Sequence, residues 1–272
     1  MMNLKKLAHL EWLKFSKNPV VLVLFACFGL LFPIAILSGK EVFKNTAPPF
    51  PHSSIFYEFP TVWDYQGYAG NWLVSFFLGF MMIHIISSEV GNKTMRQNII
   101  IGLDRREYFV SKLITMAMLS GIATAVYYLT SIIIGIIHTD GWDFALVFDN
   151  NYAGLRFYLM CIGYLSFAAV ISYVMRRGSL SLLMYFSLMM FIEPIIRGIY
   201  FAYFKDGGVK YFPLNAIEDL MPNPALRLPD FFQNEGLKFS ILLTYTEATL
   251  LTLLFASIFL GISWRVFSKR DI

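Results

Sequence analysis

Six stretches of this chain, near 19–38, 68–87, 113–137, 155–175, 179–201 and 239–263, are apolar over about the 20 residues needed to cross the hydrocarbon of a bilayer. Inside hydrocarbon every backbone N–H and C=O must find its partner within the segment, so runs of this kind fold as helices. The fold class that follows is an all-α integral membrane protein with six transmembrane helices. An amphipathic interfacial helix over 1–18, a short helix between spans 2 and 3, and short broken helices before span 6 complete it. Composition agrees: 15% of the 272 residues are charged and 57% are hydrophobic, whereas a soluble domain carries about a quarter charged residues. The whole of 1–272 reads as one transmembrane domain.

An even number of spans puts both termini on one side of the membrane. Lysine and arginine decide which side, because they accumulate in short cytoplasmic loops. The terminal side collects Lys5, Lys6, Lys14 and Lys17, the cluster Lys93 to Lys112, Arg176 and Arg177, and Arg265, Lys269 and Arg270. The opposite side holds only Lys40, Lys44, Lys205, Lys210, Arg227 and Lys238, spread over longer loops. Both termini are therefore expected in the cytoplasm. The net charge of +4 is accounted for by this topology and does not point to nucleic acid. Cys27 and Cys161 lie inside apolar runs, where cysteine behaves as a small hydrophobe. The first apolar run is longer than a signal-peptide core and lacks a small-x-small cleavage site, so it is expected to be retained.

The longest polar segment between two spans is Ser88 to Lys112. Gly102 divides it, and Asp104 with Glu107 has the spacing of a capping box, in which the first residue caps the free N–H groups of a helix and the second reaches back. The pattern predicts helix, break, new helix. On charge content alone such a segment is a solvated loop; as a short helix between spans it is also a lever for a soluble partner.

In the leader, Leu4, Leu7, Ala8, Trp12 and Phe15 share one sector at 100° per residue, opposite Lys5, Lys6, His9, Lys14 and Lys17. Such a helix should lie with its rings inward and its lysines outward. Leu10 and Leu13 on the polar side, and Glu11 within the apolar sector, break the pattern.

The opposite side is predicted to carry an aromatic, proline-rich cap over 39–67, a solvated loop at 138–154, and broken helices over 202–238 interrupted by Pro213, Pro222, Pro224 and Pro229. His138, Asp140, Asp143 and Asp149 in the second of these lack a recognised metal-ligand spacing. The turn Arg176-Arg177-Gly178 should make spans 4 and 5 antiparallel neighbours. Within the fifth span, Glu193 and Arg197 stand one turn apart as an intramembrane polar pair, with Pro194 expected to kink the helix. They serve either as a structural ion pair or as the lining of a path. His84 and Glu247 lie nearer span ends and are expected at the interface. No G-x-x-x-x-G-K-[ST] loop and no catalytic constellation occurs, so the chain is not expected to be an enzyme. A secondary carrier or channel working through Glu193, Arg197 and His84 is one alternative, although the two halves show no inverted repeat. A peptide-binding immunity or receptor protein, using the aromatic outer cap, is another.

The polar segment resembles the cytoplasmic region between the second and third helices of ABC-2 type transporter permeases. That region carries an acidic residue closing the second helix, a glycine-threonine element, a basic residue, a glycine, one or two arginines, and a lysine opening the third helix. Here those positions are Glu89, Gly91 and Thr94, Arg96, Gly102, Arg105 with Arg106, and Lys112. Asn92 and Lys93 separate Gly91 from Thr94, where many members join the two directly. In layout the resemblance spans nearly the whole chain, from a leader ending in Lys14-Phe15-Ser16-Lys17-Asn18 to the broken stretch before span 6. It implies a permease subunit of an ATP-binding-cassette exporter in the bacterial cytoplasmic (inner) membrane, working by alternating access. It also implies a second permease copy or homologue and two ABC ATPase subunits as partners. ATP and Mg would belong to the ATPases, with no cofactor in this chain. The coupling surface for the ATPase would be 89–107, carried by Glu89, Thr94, Arg96, Gly102, Asp104, Arg105, Arg106 and Glu107.

Overall fold

The computed structural model describes residues 4–43, 56–224 and 242–269. Among these there is no strand. The helices are α1 (Leu4–Ser16), α2 (Pro19–Phe43), α3 (Val62–Leu73), α4 (Gly79–Gly91), α5 (Thr94–Ile100) and α6 (Arg105–His138). They continue as α7 (Phe144–Phe148), α8 (Tyr152–Met175), α9 (Gly178–Ser187), α10 (Glu193–Phe204), α11 (Pro213–Glu218) and α12 (Tyr245–Ser268). Six helical units are long and apolar enough to span a membrane: α2, α3–α4, α6, α7–α8, α9–α10 and α12. The all-α, six-span architecture is thus the one the hydropathy predicts.

The spans reach beyond their predicted ends, and polar contacts accompany the extensions of the second and third. The second starts at Val62, and Asp64 and Gln66, which interrupt the hydropathy, each find a partner within the bundle, although Gln66 Nε2 has none among the described residues. Asp64 Oδ1 pairs with Arg156 Nη2 at 3.0 Å, and Gln66 Oε1 accepts from Ser131 Oγ at 2.9 Å. The third starts at Arg105, where Glu107 Oε2 accepts from Asp104 N at 3.3 Å in the predicted capping box. With 34 residues it is about 50 Å long, well over the ~30 Å of hydrocarbon. The last runs on to Ser268 and opens on a second capping box, Thr244 with Glu247.

Two spans contain a widened π turn, Val74–Leu78 and Leu188–Ile192. The second lies directly before Pro194. Proline has no N–H for the carbonyl four residues back and collides with it, and the extra residue of a π turn absorbs that misfit. The first is fastened across the bundle by Tyr185, whose hydroxyl donates to Ser75 O at 2.8 Å. Gly79 is required there, since a Cβ at this position would overlap the Tyr185 ring.

Helix α8 is the axis of the bundle, packed by α4, α6, α9 and α12 and buried along most of its length, from Ala153 to Tyr173. The short link after Met175 sets α9 against α8, as the Arg176-Arg177-Gly178 turn predicts. The 138–154 segment differs from expectation: it holds α7, capped by Asp143, whose Oδ1 accepts from Leu146 N at 2.7 Å. No group of three His, Cys, Asp or Glu among the described residues could hold a metal. The broken stretch before span 6 contains a 3-10 turn, Gly207–Tyr211, and α11; its part over 225–241 lies outside the described residues, as does the outer cap over 44–55.

The leader helix turns part of its predicted apolar sector to the bundle. Leu7, Glu11 and Phe15 face the bundle, while Trp12 and Leu4 from the predicted inner sector are exposed. Glu11, which its spacing puts within the apolar sector, is buried with Leu7 and Phe15 and is held there by the ion pairs described next.

Candidate coupling site

The chain leaves α4 through Asn92 and Lys93, and Lys93 takes a left-handed conformation with φ 58°. Thr94 Oγ1 then donates to Glu89 O at 3.2 Å and fastens the new helix to the old. The two residues that separate Gly91 from Thr94 are therefore the turn itself. Helix α5 ends in a Schellman arrangement, with Gly102 N bonded to Ile99 O at 3.1 Å and Leu103 N to Asn98 O at 3.0 Å. Gly102 has φ 113°, a conformation that a residue with a Cβ rarely adopts. Asp104 then caps α6. No residue of α5 is buried. Ile100 and Ile101 are 74% and 85% exposed, and Arg96 and Arg106 also face outward.

Beneath this exposed element lies a cluster of charges. Lys112, fully buried, donates to Glu89 Oε1 at 2.6 Å and to Glu11 Oε2 at 2.8 Å. Lys14 reaches the same carboxylates, Glu11 Oε1 at 2.9 Å and Glu89 Oε1 at 3.4 Å. Hydroxyls complete the coordination: Tyr108 donates to Glu89 Oε2, Thr115 to Glu11 Oε2 at 2.8 Å, and Ser111 to Glu11 Oε1 at 3.1 Å. Two carboxylates and two ammonium groups balance in charge, which is how buried ions escape an uncompensated desolvation cost. Burial alone would push the Glu11 carboxyl up, but Lys112 and Lys14 outweigh it and hold it down at about 2. Burial opposes the charged Lys14 likewise, and Glu89 and Glu11 raise it above the ordinary lysine value.

An aromatic layer continues the knot toward the last span. Tyr108 stacks on Phe267 with centroids 5.3 Å apart, and Phe109 meets Trp264 edge-on at 5.3 Å. Arg105 Nη1 donates to Ser268 O at 2.6 Å. The leader, the end of α4, the start of α6 and the end of α12 thus converge under α5. Between α1 and the α5–α6 link run two hollows of about 400 and 290 Å³, which share Glu11, Lys14, Asn98 and Ile101 in their walls.

Of the residues predicted for coupling, Arg96, Arg106, Gly102 and Asp104 are exposed, Thr94, Arg105 and Glu107 are half-buried, and Glu89 is buried in the ionic knot. Arg105 is turned toward the α12 terminus. Glu11 and Lys112 were not among the predicted coupling residues. The signal for Glu11 was its position as a lone acid in an apolar sector.

The intramembrane polar pair is arranged differently from its sequence spacing. Arg197 Nη1 faces Glu218 Oε2 at 3.7 Å, while Glu193 Oε1 accepts the backbone N–H groups of Leu214 and Asn215 at 2.9 and 3.0 Å. Both residues therefore fasten α11 to the fifth span. Glu218, outside the spans, is pushed up by burial, against the pull of Arg197. Sequence reasoning also missed Arg156, whose guanidinium lies 3.5 Å from the Tyr245 ring centroid and bonds Asp64 and Asn150. His84 Nε2 stands 3.5 Å from Asn18 Nδ2, near the foot of α2.

Among the described residues, six apolar helical units, with a short exposed helix between the second and third, define a multi-pass helical membrane protein. The chain belongs to the ABC-2 transporter family: the family described as "ABC-2 family transporter protein" matches residues 7–204, from α1 through the end of α10. It is accordingly a permease component of an ABC transporter. None of the curated proteins matches the chain.

Proposed function

We propose that this chain is the membrane permease of an ATP-binding-cassette exporter in the bacterial cytoplasmic membrane, with both termini cytoplasmic, pairing with a second permease copy or homologue and with two separate ATPase subunits. ATP and Mg are handled by those partners, and this chain contributes no catalytic group.

The observation that carries the reading is the contrast between α5 and what lies beneath it. The helix exposes Arg96, Ile100 and Ile101, while its attachments at Glu89 and at Tyr108 to Lys112 are buried and ionic. A partner that grips α5 has an apolar knob flanked by cations to hold. Any displacement it imposes passes into α4 and α6 together, because Lys112 joins them, and into α1 through Glu11. Closure of the ATPases on ATP would in this way tilt the second and third spans between inward- and outward-open states. Such a shift requires that ATP bind the two states with different affinity.

Co-purification of the full chain with candidate ATPase subunits tests the reading, followed by ATP hydrolysis measured against a panel of compounds. Stable capture, with hydrolysis that responds to a transported compound, is expected. An ATPase that neither binds nor responds, beside transport driven by an ion gradient alone, contradicts it.

A further inference from the structure

A cleft of about 100 Å³ opens between the second span, the fifth span and α11. Its charged walls are Glu193, Arg197 and Glu218, and its apolar walls include Trp72, Met189 and Met190. Trp72 is 51% exposed and Met190 is 37% exposed, so the cleft is open at the flank of the spans.

The two acids have acceptor capacity left over. Glu193 uses only Oε1 on the α11 backbone, and Oε2 accepts no hydrogen bond from the described residues. Glu218 meets Arg197 at 3.7 Å, beyond hydrogen-bond reach, and its Oε1 also has no donor among the described residues. Two carboxylates against one guanidinium leave the cleft formally one negative charge in excess. A bound cation would balance that excess. The walls suit a cation as well: an indole face attracts positive charge, and thioethers are polarisable.

We infer that this cleft binds the head group, a primary ammonium or guanidinium, of a cationic amphiphile whose apolar body lies along Trp72 and Met190. The volume admits a head group and not the body, which leaves through the open flank. N–H donors match the spare oxygens of Glu193 and Glu218, so a quaternary ammonium of equal charge should bind less well. That the ligand is also cargo rests on the transport reading above; the binding does not.

The test uses the full chain in lipid nanodiscs, with octylammonium, octyltrimethylammonium, octanoate and octanol as probes and tryptophan fluorescence as the readout. Octylammonium should give a saturable change that disappears in W72F, while octanoate and octanol should give only the linear response of partitioning. E193Q, which keeps the oxygen that accepts from Leu214 and Asn215, and E218Q should each weaken octylammonium at least about tenfold, the scale of one hydrogen bond to a charged group. Equal responses to all four probes, or affinities unchanged in both glutamine variants, overturn the site. Stimulation of the partner ATPase by octylammonium separates the two readings. Binding without stimulation removes the cargo assignment and leaves the site, whereas ATPase capture without binding removes the site and leaves the transporter.

Discussion

Lys112 Nζ lies 2.8 Å from a carboxylate oxygen of Glu11 and 2.6 Å from one of Glu89, so that one buried ammonium joins the leader helix, the second span and the third. The two carboxylates come from positions 101 and 23 residues away in the chain. The proposed coupling through α5 requires this joint to be stiff, and the energetics of the joint lead to the first prediction.

Removing the ammonium leaves two carboxylates buried with only the half-exposed Lys14 to share. Lys112→Met is therefore expected to destabilise the protein by about 3–5 kcal/mol, the cost of breaking a buried pair from one side. The triple variant K112M/E11Q/E89Q removes all three charges and should recover most of that loss. Thermal unfolding of the purified protein gives both values. A single variant as stable as the parent would show that the pair is not under load.

Acid should release the leader helix. The Glu11 carboxyl is held at about 2 in the folded protein against an ordinary 4.5. A depressed carboxylate contributes stability that is present above its unfolded value and is lost as pH falls through its folded value. The window is thus from about pH 4.5 down to about 2, and the contribution lost is about 3 kcal/mol at 1.36 kcal/mol per pH unit. Unfolding measured across that range should show a steeper decline in the parent than in E11Q. Parallel pH profiles would count against an ionised Glu11 in the knot.

Gly102 sits at φ 113° with open space where a Cβ would go, so any cost of substitution is one of backbone conformation. Gly102→Ala is expected to lose about 1–2 kcal/mol, or to shift the angle between α5 and α6. The second outcome reads out as reduced coupling of ATP hydrolysis at unchanged stability. Equal stability and equal coupling in the alanine variant would mean that the break is not needed.

How much of this was legible depended on distance along the chain. The break at Gly102 and the Asp104–Glu107 cap were readable because their partners lie within a few residues, and the spans were readable because a hydrocarbon solvent imposes length and apolarity. Span ends were misread where a polar residue is satisfied from far away, as Asp64 is by Arg156. The apolar sector of the leader already groups Leu7, Glu11 and Phe15, but the ion pair of Glu11 with Lys112, 101 residues on, is one that no local pattern reveals. Arg197 was matched with Glu193 for the same reason: the nearest acid in the helix is one turn away, but the folded chain brings Glu218 to it instead.

Helix α5 is the proposed surface through which an ATPase acts on this chain. Arg96 on α5, Ile101 at its end and Arg106 in the first turn of α6 are all exposed, so the variant R96E/I101D/R106E should fold with the parent's thermal stability. The decisive measurement is recovery of the ATPase subunits with that variant, together with its transport rate. The folded variant is expected to lose the ATPase and with it transport; full recovery of the ATPase at an unchanged transport rate would contradict a coupling role for α5.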